Sequence, residues 1–190
     1  RGGGEDRFSL VSGKIEILSN VKYVITLDAD TQLPRDAAWQ FVGSMAHPLN
    51  RAVFDENHQR VTQGYGILQP RVAVSLPSAG MSAYARLAGS EPGIDPYTLA
   101  ISDVYQDLFG EGSFIGKGIY DVDAFEAATR DRFPKNAILS HDLLEGTYAR
   151  VGLVTDIELF EDIPSRYNVF AARAHRWGRG AWQISDWLFP

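Results

Sequence analysis

The chain of 190 residues has no cysteine. That excludes a disulfide framework and any thiolate metal site, and it fits a reducing compartment. No apolar run reaches the roughly 18 residues that a bilayer-spanning helix needs, and no signal-peptide pattern opens the sequence. Basic residues are in the minority. The net charge of −6 and pI near 5.2 argue against a general nucleic-acid binder. There is no internal repeat and no low-complexity segment. What remains is an ordinary globular composition, long enough to bury a core. The abrupt ends, Arg1-Gly2-Gly3-Gly4 and Leu188-Phe189-Pro190, read as cuts in a longer protein.

The stretch around which the rest is arranged is Tyr23-Val24-Ile25-Thr26-Leu27-Asp28-Ala29-Asp30. Apolar, β-branched and aromatic residues predict a strand covered on both faces. It ends on two carboxylates. In an open α/β sheet the carboxyl edge of the strands is where ligands bind. Two carboxylates side by side repel each other unless a positive charge lies between them, and a hard divalent cation held by oxygen ligands is a natural guest. The alternative is that the aspartates only make a polar turn before a helix, a task that Pro34 and Asp36 could also perform.

Along the chain, residues 1–13 read as a loop and Ile15–Leu18 as a short strand or turn. A helix follows Pro34, with Ala38, Phe41, Val42 and Met45 at helical spacing, and Pro48 ends it. Residues 50–63 read as a surface excursion or hairpin, and residues 66–70 as a second core strand ending at Pro70. The Ala-rich region 78–90 predicts a helix. Asp95-Pro96 is a cap and first turn for another, striped by Tyr97, Ile101, Val104, Tyr105 and Leu108. The glycine-rich run 110–118 matches neither the G-x-G-x-x-G nor the P-loop template, because Gly116-Lys117 is followed by glycine; a strand with close backbone approach to a ligand fits better. A short helix at 123–129, a loop at 130–139, a helix at 143–150 stopped by Gly152, a strand at 153–160 and an amphipathic helix at about 170–188 complete the pattern. This alternation predicts an α/β fold with a mostly parallel sheet. A Rossmann-like core needs an earlier βα unit, and none is visible before residue 20.

Two further groups carry chemistry. Asp142 follows His141 at a helix start, where the dipole favours a charged carboxylate. It suits a general base and equally an ordinary helix cap. The last helix presents Arg173, Arg176, Trp177, Gly180, Gln183 and Ile184 at spacings that share a face. Arginine forks match phosphate oxygens, an indole packs on a sugar ring, and glycine admits a close approach. The bland alternative is an amphipathic helix with solvated arginines. Trp182, Trp187, Leu188 and Phe189 also suit docking on a membrane surface or another domain.

Asp28-Ala29-Asp30, Gln69-Pro70, Gly112-Ser113, His141-Asp142 and the run from Arg173 to Gln183 occur in the order and rough spacing of processive family 2-like glycosyltransferases. These are cellulose-synthase-like enzymes with D-x-D, T-E-D and Q-x-x-R-W-x-R-G-x-x-Q motifs. Residues 23–34, 95–123 and 139–146 more closely resemble the glycosyltransferase region of bacterial cyclic β-1,2-glucan synthases (family 84). The resemblance runs from about Val21 onward. It implies a Rossmann-like GT-A core, with residues 1–190 a piece of a single glycosyltransferase catalytic domain that lacks its first, uracil-binding βα unit.

The resemblance further implies an inverting, metal-dependent, processive transfer of glucose from UDP-glucose to a growing β-1,2-glucan. Asp28 and Asp30 match the pair that holds the sugar nucleotide and its Mg²⁺ or Mn²⁺. Asp142 matches the general base, and Arg176 and Trp177 the residues that meet diphosphate and acceptor sugar. His141, Arg173 and Gln183 fall in the same motifs, although Ser140-His141 replaces Thr-Glu and Arg173 replaces the first Gln. The implied setting is a larger membrane-embedded polypeptide, with this part on the cytoplasmic face of a bacterial inner membrane and no nucleic-acid partner. Two rivals stand beside this: a non-catalytic sugar-nucleotide-binding or scaffolding piece, and an aspartyl-nucleophile phosphatase, whose D-x-D-x-T signature Thr31 misses by one position.

Overall fold

A computed structural model describes residues 9–88, 100–134 and 137–187. Its centre is a sheet of β1 (Tyr23–Thr26), β2 (Thr31–Gln32), β5 (Ile67–Val74), β6 (Gly118–Asp121) and β7 (Val151–Glu161), in the order β1-β6-β5-β7-β2. A separate hairpin of β3 (Val53–Asp55) and β4 (Arg60–Gln63) occupies the stretch expected to be a surface excursion. The expected mostly parallel sheet is corrected: only β5 and β7 pair in parallel, and the other neighbours are antiparallel. Hydrophobic periodicity reports which faces are covered and is blind to the direction of the partner strand. Since β6 runs against both its neighbours, β1, β5 and β7 still share one direction. Their carboxyl ends therefore meet at one edge of the sheet.

Alternation along β5 sends its side chains to two cores. Leu68, with Ile119, Ile157 and Leu159, packs against Ala37, Phe41 and Met45 of α1 (Ala37–Ala46). Ile67, with Val151 and Phe114, packs against Ala128 of α5 (Val122–Thr129) and Ala149 of α6 (Asp142–Ala149) on the other face. The buried stripe of α1 thus runs through Ala37, Phe41 and Met45, while Val42 is exposed. Pro34 starts a turn whose carbonyl accepts from Ala37 N–H, so the helix begins later than proline alone suggested. Asp36 adopts φ +69° and makes no side-chain capping bond. Asp121 does cap: its carboxylate accepts from the N–H groups of Asp123 and Ala124, and β6 passes straight into α5.

Other boundaries moved. β5 runs through Pro70 to Val74, and the register shifts at Pro70, which has no N–H to donate: Pro70 faces Val154 but Arg71 faces Glu158. Residues 78–88 are not one helix but α2 (Leu76–Ala79) and α3 (Ala83–Ala88), parted at Gly80. Residues 89–99, with Asp95-Pro96 and Tyr97, lie outside the described residues, as does the side chain of Ile101. In α4 (Ala100–Phe109), Val104, Tyr105 and Leu108 are exposed, so the predicted stripe is no core stripe. Ile15–Asn20 is a 3-10 turn. The helix α6 stops at Arg150, which takes φ +57°, and Gly152 lies within β7. Arg150 is latched there by donating to the carbonyls of Gly64 and Gly110.

The run 110–117 is irregular, with a single bridge from Gly112 to Val151; only Gly118 enters a strand. The close approach expected of its glycines is real, though its neighbour is protein. At Gly118 (φ +148°) a Cβ would lie 2.3 Å from the Leu68 carbonyl oxygen. The last helix, α7, spans Tyr167–Gln183 and passes into a 3-10 turn at Ser185–Trp187. Among the described residues no helix is long and apolar enough to cross a membrane.

Candidate functional site

β1 and β2 lie at opposite edges of the sheet, and residues 27–30 connect them. Thr31 N–H donates to the Asp28 carbonyl at 3.0 Å, closing a turn that presents Asp28 and Asp30 at the carboxyl edge. Glu161, the last residue of β7, pairs with Thr31 in the ladder and accepts from its hydroxyl at 2.9 Å. One carboxylate oxygen from each of Asp28, Asp30 and Glu161 lies within 4.8 Å of the others. Thr31 is therefore engaged by Glu161.

Two cations offset most of the charge of this cluster. Lys117 Nζ sits 3.0 Å from Asp28 Oδ2 and 2.9 Å from Glu161 Oε1, with only 9% of its side chain exposed. Burial works against the charge on Lys117. The hydrogen bond and attraction of Glu161, and then the charge of Asp28, outweigh it, so its ammonium is held above the ordinary lysine range. Arg173 reaches from α7 to Asp30 Oδ2 at 2.9 Å, with its guanidinium 5.7 Å from the centre of the Trp177 ring. The opposite charge that the aspartate pair demands is thus already present within the chain.

Asp142 opens α6 opposite this edge. Gly146 lets α6 pack tightly on Phe114, since a Cβ there would lie 2.8 Å from the Phe114 Cβ. Gly116, at φ +89°, faces the Asp142 carboxylate, whose atoms lie 3.2–3.3 Å from where its Cβ would be. The loop carrying Phe114 to Lys117 is fixed by buried Gln69, whose side-chain oxygen accepts from Ile115 N–H at 2.8 Å. His141 contacts Glu145 across one turn, Nδ1 to Oε1 at 2.7 Å. Burial pushes the Glu145 carboxyl above the usual range, against the opposing pull of His141 and with a smaller push from Asp142.

A cleft of about 700 Å³ joins these parts. It is lined by Asp28, Lys117 and Glu161 from the sheet edge, by Gly116, His141 and Asp142, and by Arg173, Arg176 and Trp177 of α7. Most of the residues expected to act together do meet. Asp30 joins through its ion pair with Arg173. Gln183 is not among the lining residues: its side-chain oxygen accepts from Leu139 N–H at 2.9 Å and ties the end of α7 to the loop before α6. Gly180 has the same task, since a Cβ there would lie 2.6 Å from Ser140 Cβ. The close approach expected at this glycine is that of the protein's own loop.

Sequence reasoning missed Lys117, Glu161 and Glu145. Gly116-Lys117-Gly118 did attract notice as a failed phosphate loop. The lysine between two glycines was a usable signal, since the glycines permit the close packing that buries it. Glu161 gave none beyond being the polar end of a strand.

The three carboxylates form an all-oxygen donor set of the kind that suits Mg²⁺ or Mn²⁺, so the residues fit such an ion once Lys117 and Arg173 give way. No family model matches the chain. It is 53% identical over 187 residues to the cyclic beta-(1,2)-glucan synthase NdvB of Rhizobium meliloti (strain 1021), a match that takes in 98% of this chain and 7% of NdvB. The chain therefore spans a small part of that relative's length.

Proposed function

We propose that the cleft is a glycosyltransferase site in β-glucan synthesis, on a fold of the GT-A kind. In this reading it moves glucose from UDP-glucose to a growing β-1,2-glucan with inversion, inside a larger membrane-bound polypeptide. The observation that carries the reading is the shared lining of one cleft by Asp28, Asp142, Arg176 and Trp177. Similarity to NdvB over nearly the whole chain supports the reaction class. The common direction of β1, β5 and β7, with carboxylates at their carboxyl ends, supports the fold type.

Each residue has a task in that scheme. Asp142 takes the proton from the attacking acceptor hydroxyl. The acceptor oxygen bonds to the anomeric carbon on the face opposite the departing UDP, the anomeric C–O bond to UDP breaks, and the centre inverts. The geometry has the logic of an inverting glycosidase with a sugar hydroxyl in place of water. Arg176 meets the diphosphate, and Trp177 offers its face to the acceptor ring. Asp28, Asp30 and Glu161 would hold Mg²⁺ or Mn²⁺, which supplies charge neutralisation to the leaving diphosphate. Glu145 orients His141 beside the base.

The test is Asp142→Asn in the intact protein, assayed for glucan synthesis and, separately, for UDP-glucose binding by calorimetry. Synthesis should fall by about 10²-fold or more with binding retained. Undiminished synthesis by a folded Asp142→Asn protein would remove the base assignment. Turnover of a generic phosphate ester with Mg²⁺ would instead favour the phosphatase rival.

A further inference from the structure

The carboxylate cluster has its own counter-ion, and that counter-ion is buried in the floor of the cleft. Lys117 lies directly between Asp28 and Glu161, at 3.0 and 2.9 Å. Those are two of the three carboxylates that would hold a divalent cation. Gly118 brings the chain hard against β5 just beyond it, and Gln69 anchors Ile115 just before it, so the backbone that presents the ammonium is fixed at both sides. The side chain above that backbone is a flexible four-carbon stem ending in a compact charge. It also lines the cleft, so an ammonium leaving the carboxylates stays within the site.

We propose that Lys117 is an exchangeable counter-ion: it holds Asp28 and Glu161 together while no divalent cation is bound, and it yields them to the cation and turns into the cleft when one binds. This rests on the metal-dependent reading of the site above. The charges make the exchange reasonable. Three carboxylates with Lys117 and Arg173 carry a net charge of about −1, and a divalent cation entering without displacement would meet an ammonium at contact distance. Unit charges at about 4 Å repel by about 1 kcal/mol even at the dielectric constant of water and by more in a partly buried site, and a double charge doubles the cost. Once turned away from Asp28, the lysine is a mobile positive charge beside the expected position of the diphosphate, where a point-charge phosphate contact suits it.

The consequence runs against the usual expectation for a site residue, because removing Lys117 should tighten cation binding. Mn²⁺ binding to the chain, followed by calorimetry and by the paramagnetic signal of free Mn²⁺, should be about tenfold tighter or more in Lys117→Met than in the unaltered protein. Lys117→Arg, which keeps the charge, should bind no more tightly than the unaltered protein. A readout that needs no variant is the acetylation of Lys117 by an amine reagent, mapped by mass spectrometry, with exposed Lys14 as internal control. Lys117 should be protected without Mn²⁺ and modified several-fold faster with it, while Lys14 stays unchanged. If the unaltered chain binds Mn²⁺ but Lys117 stays protected and Lys117→Met binds no tighter, the exchange is wrong and the metal site survives. If neither protein binds Mn²⁺, the metal-dependent reading itself falls, and the exchange with it.

Discussion

The two walls of the cleft are built differently. The sheet wall carries Glu161 at the end of β7, with Asp28 and Lys117 on segments directly joined to β1 and β6, over a core in which Phe41, Leu68, Ile119 and Leu159 are all buried. The wall made by α7 carries Arg173, Arg176 and Trp177, and the only buried residue of that helix is Gly180. Its Tyr167, Val169 and Trp182 face outward, Trp182 with 79% of its surface exposed. What holds α7 in place is mostly polar or small, the Arg173–Asp30 ion pair, the Gln183–Leu139 hydrogen bond and the Gly180–Ser140 contact, with Tyr84 packed edge-on against Tyr167 and tilted against Phe170. Local opening costs least where little apolar surface is buried. The difference teaches that one wall sets the position of the carboxylates while the other can part from it without unfolding the sheet.

The sharpest way to break this contrast is at the sheet. Gly118→Val places a side chain against the Leu68 carbonyl, where even a Cβ would lie 2.3 Å away. It should cost more than about 4 kcal/mol, seen as a collapse of the urea midpoint. Phe41→Ala should cost about 3–5 kcal/mol by the same measurement, with the denaturant slope unchanged. On the other wall, Gly180→Ala pushes against Ser140 at 2.6 Å. Global stability should move by less than about 1 kcal/mol, because alanine's helix propensity offsets the clash, but amide exchange across residues 167–183 should quicken. Equal loss of global stability from Gly180→Ala and Phe41→Ala would show that the walls are one unit.

The smallest effect concerns pH. The folded-state pKa of Glu145 is raised, so the stability it lends is full below its unfolded value near 4.5 and is lost as the pH climbs through the folded value. Glu145→Gln should flatten the fall in stability above that unfolded value, in thermal melts run across mildly acidic pH. For Lys117 the raised pKa means that its contribution is complete throughout the neutral range and is lost only as the pH climbs through its raised folded value.

What the sequence disclosed follows the same division. The strand leading to Asp28 and Asp30 and the start of α6 at Asp142 are legible because local pattern and polarity agree there. The direction of β6 was not, because pairing is decided by partners far along the chain. Lys117 reads only as part of a glycine run, since both its carboxylate partners come from distant parts of the chain. The Gln183–Leu139 hydrogen bond is illegible for the converse reason: a helix face shows which residues sit together, and what covers them depends on where the loop at Leu139 and Ser140 is laid.

The link between β1 and β2 sets a limit on the shape of the whole edge. From Thr26 to Thr31 the chain can reach at most about 18 Å when drawn straight, and the turn at Asp28 takes up part of that. Passing over a flat sheet from one margin to the other needs about 19 Å. The margins must therefore be drawn toward each other, and β7 departs from regular pairing at residues 155–157, where Ile157 is tucked into the core. Asp28 and Asp30 thus ride on a drawstring sewn to both hems of the sheet, so the span of that string fixes how far apart the hems can lie.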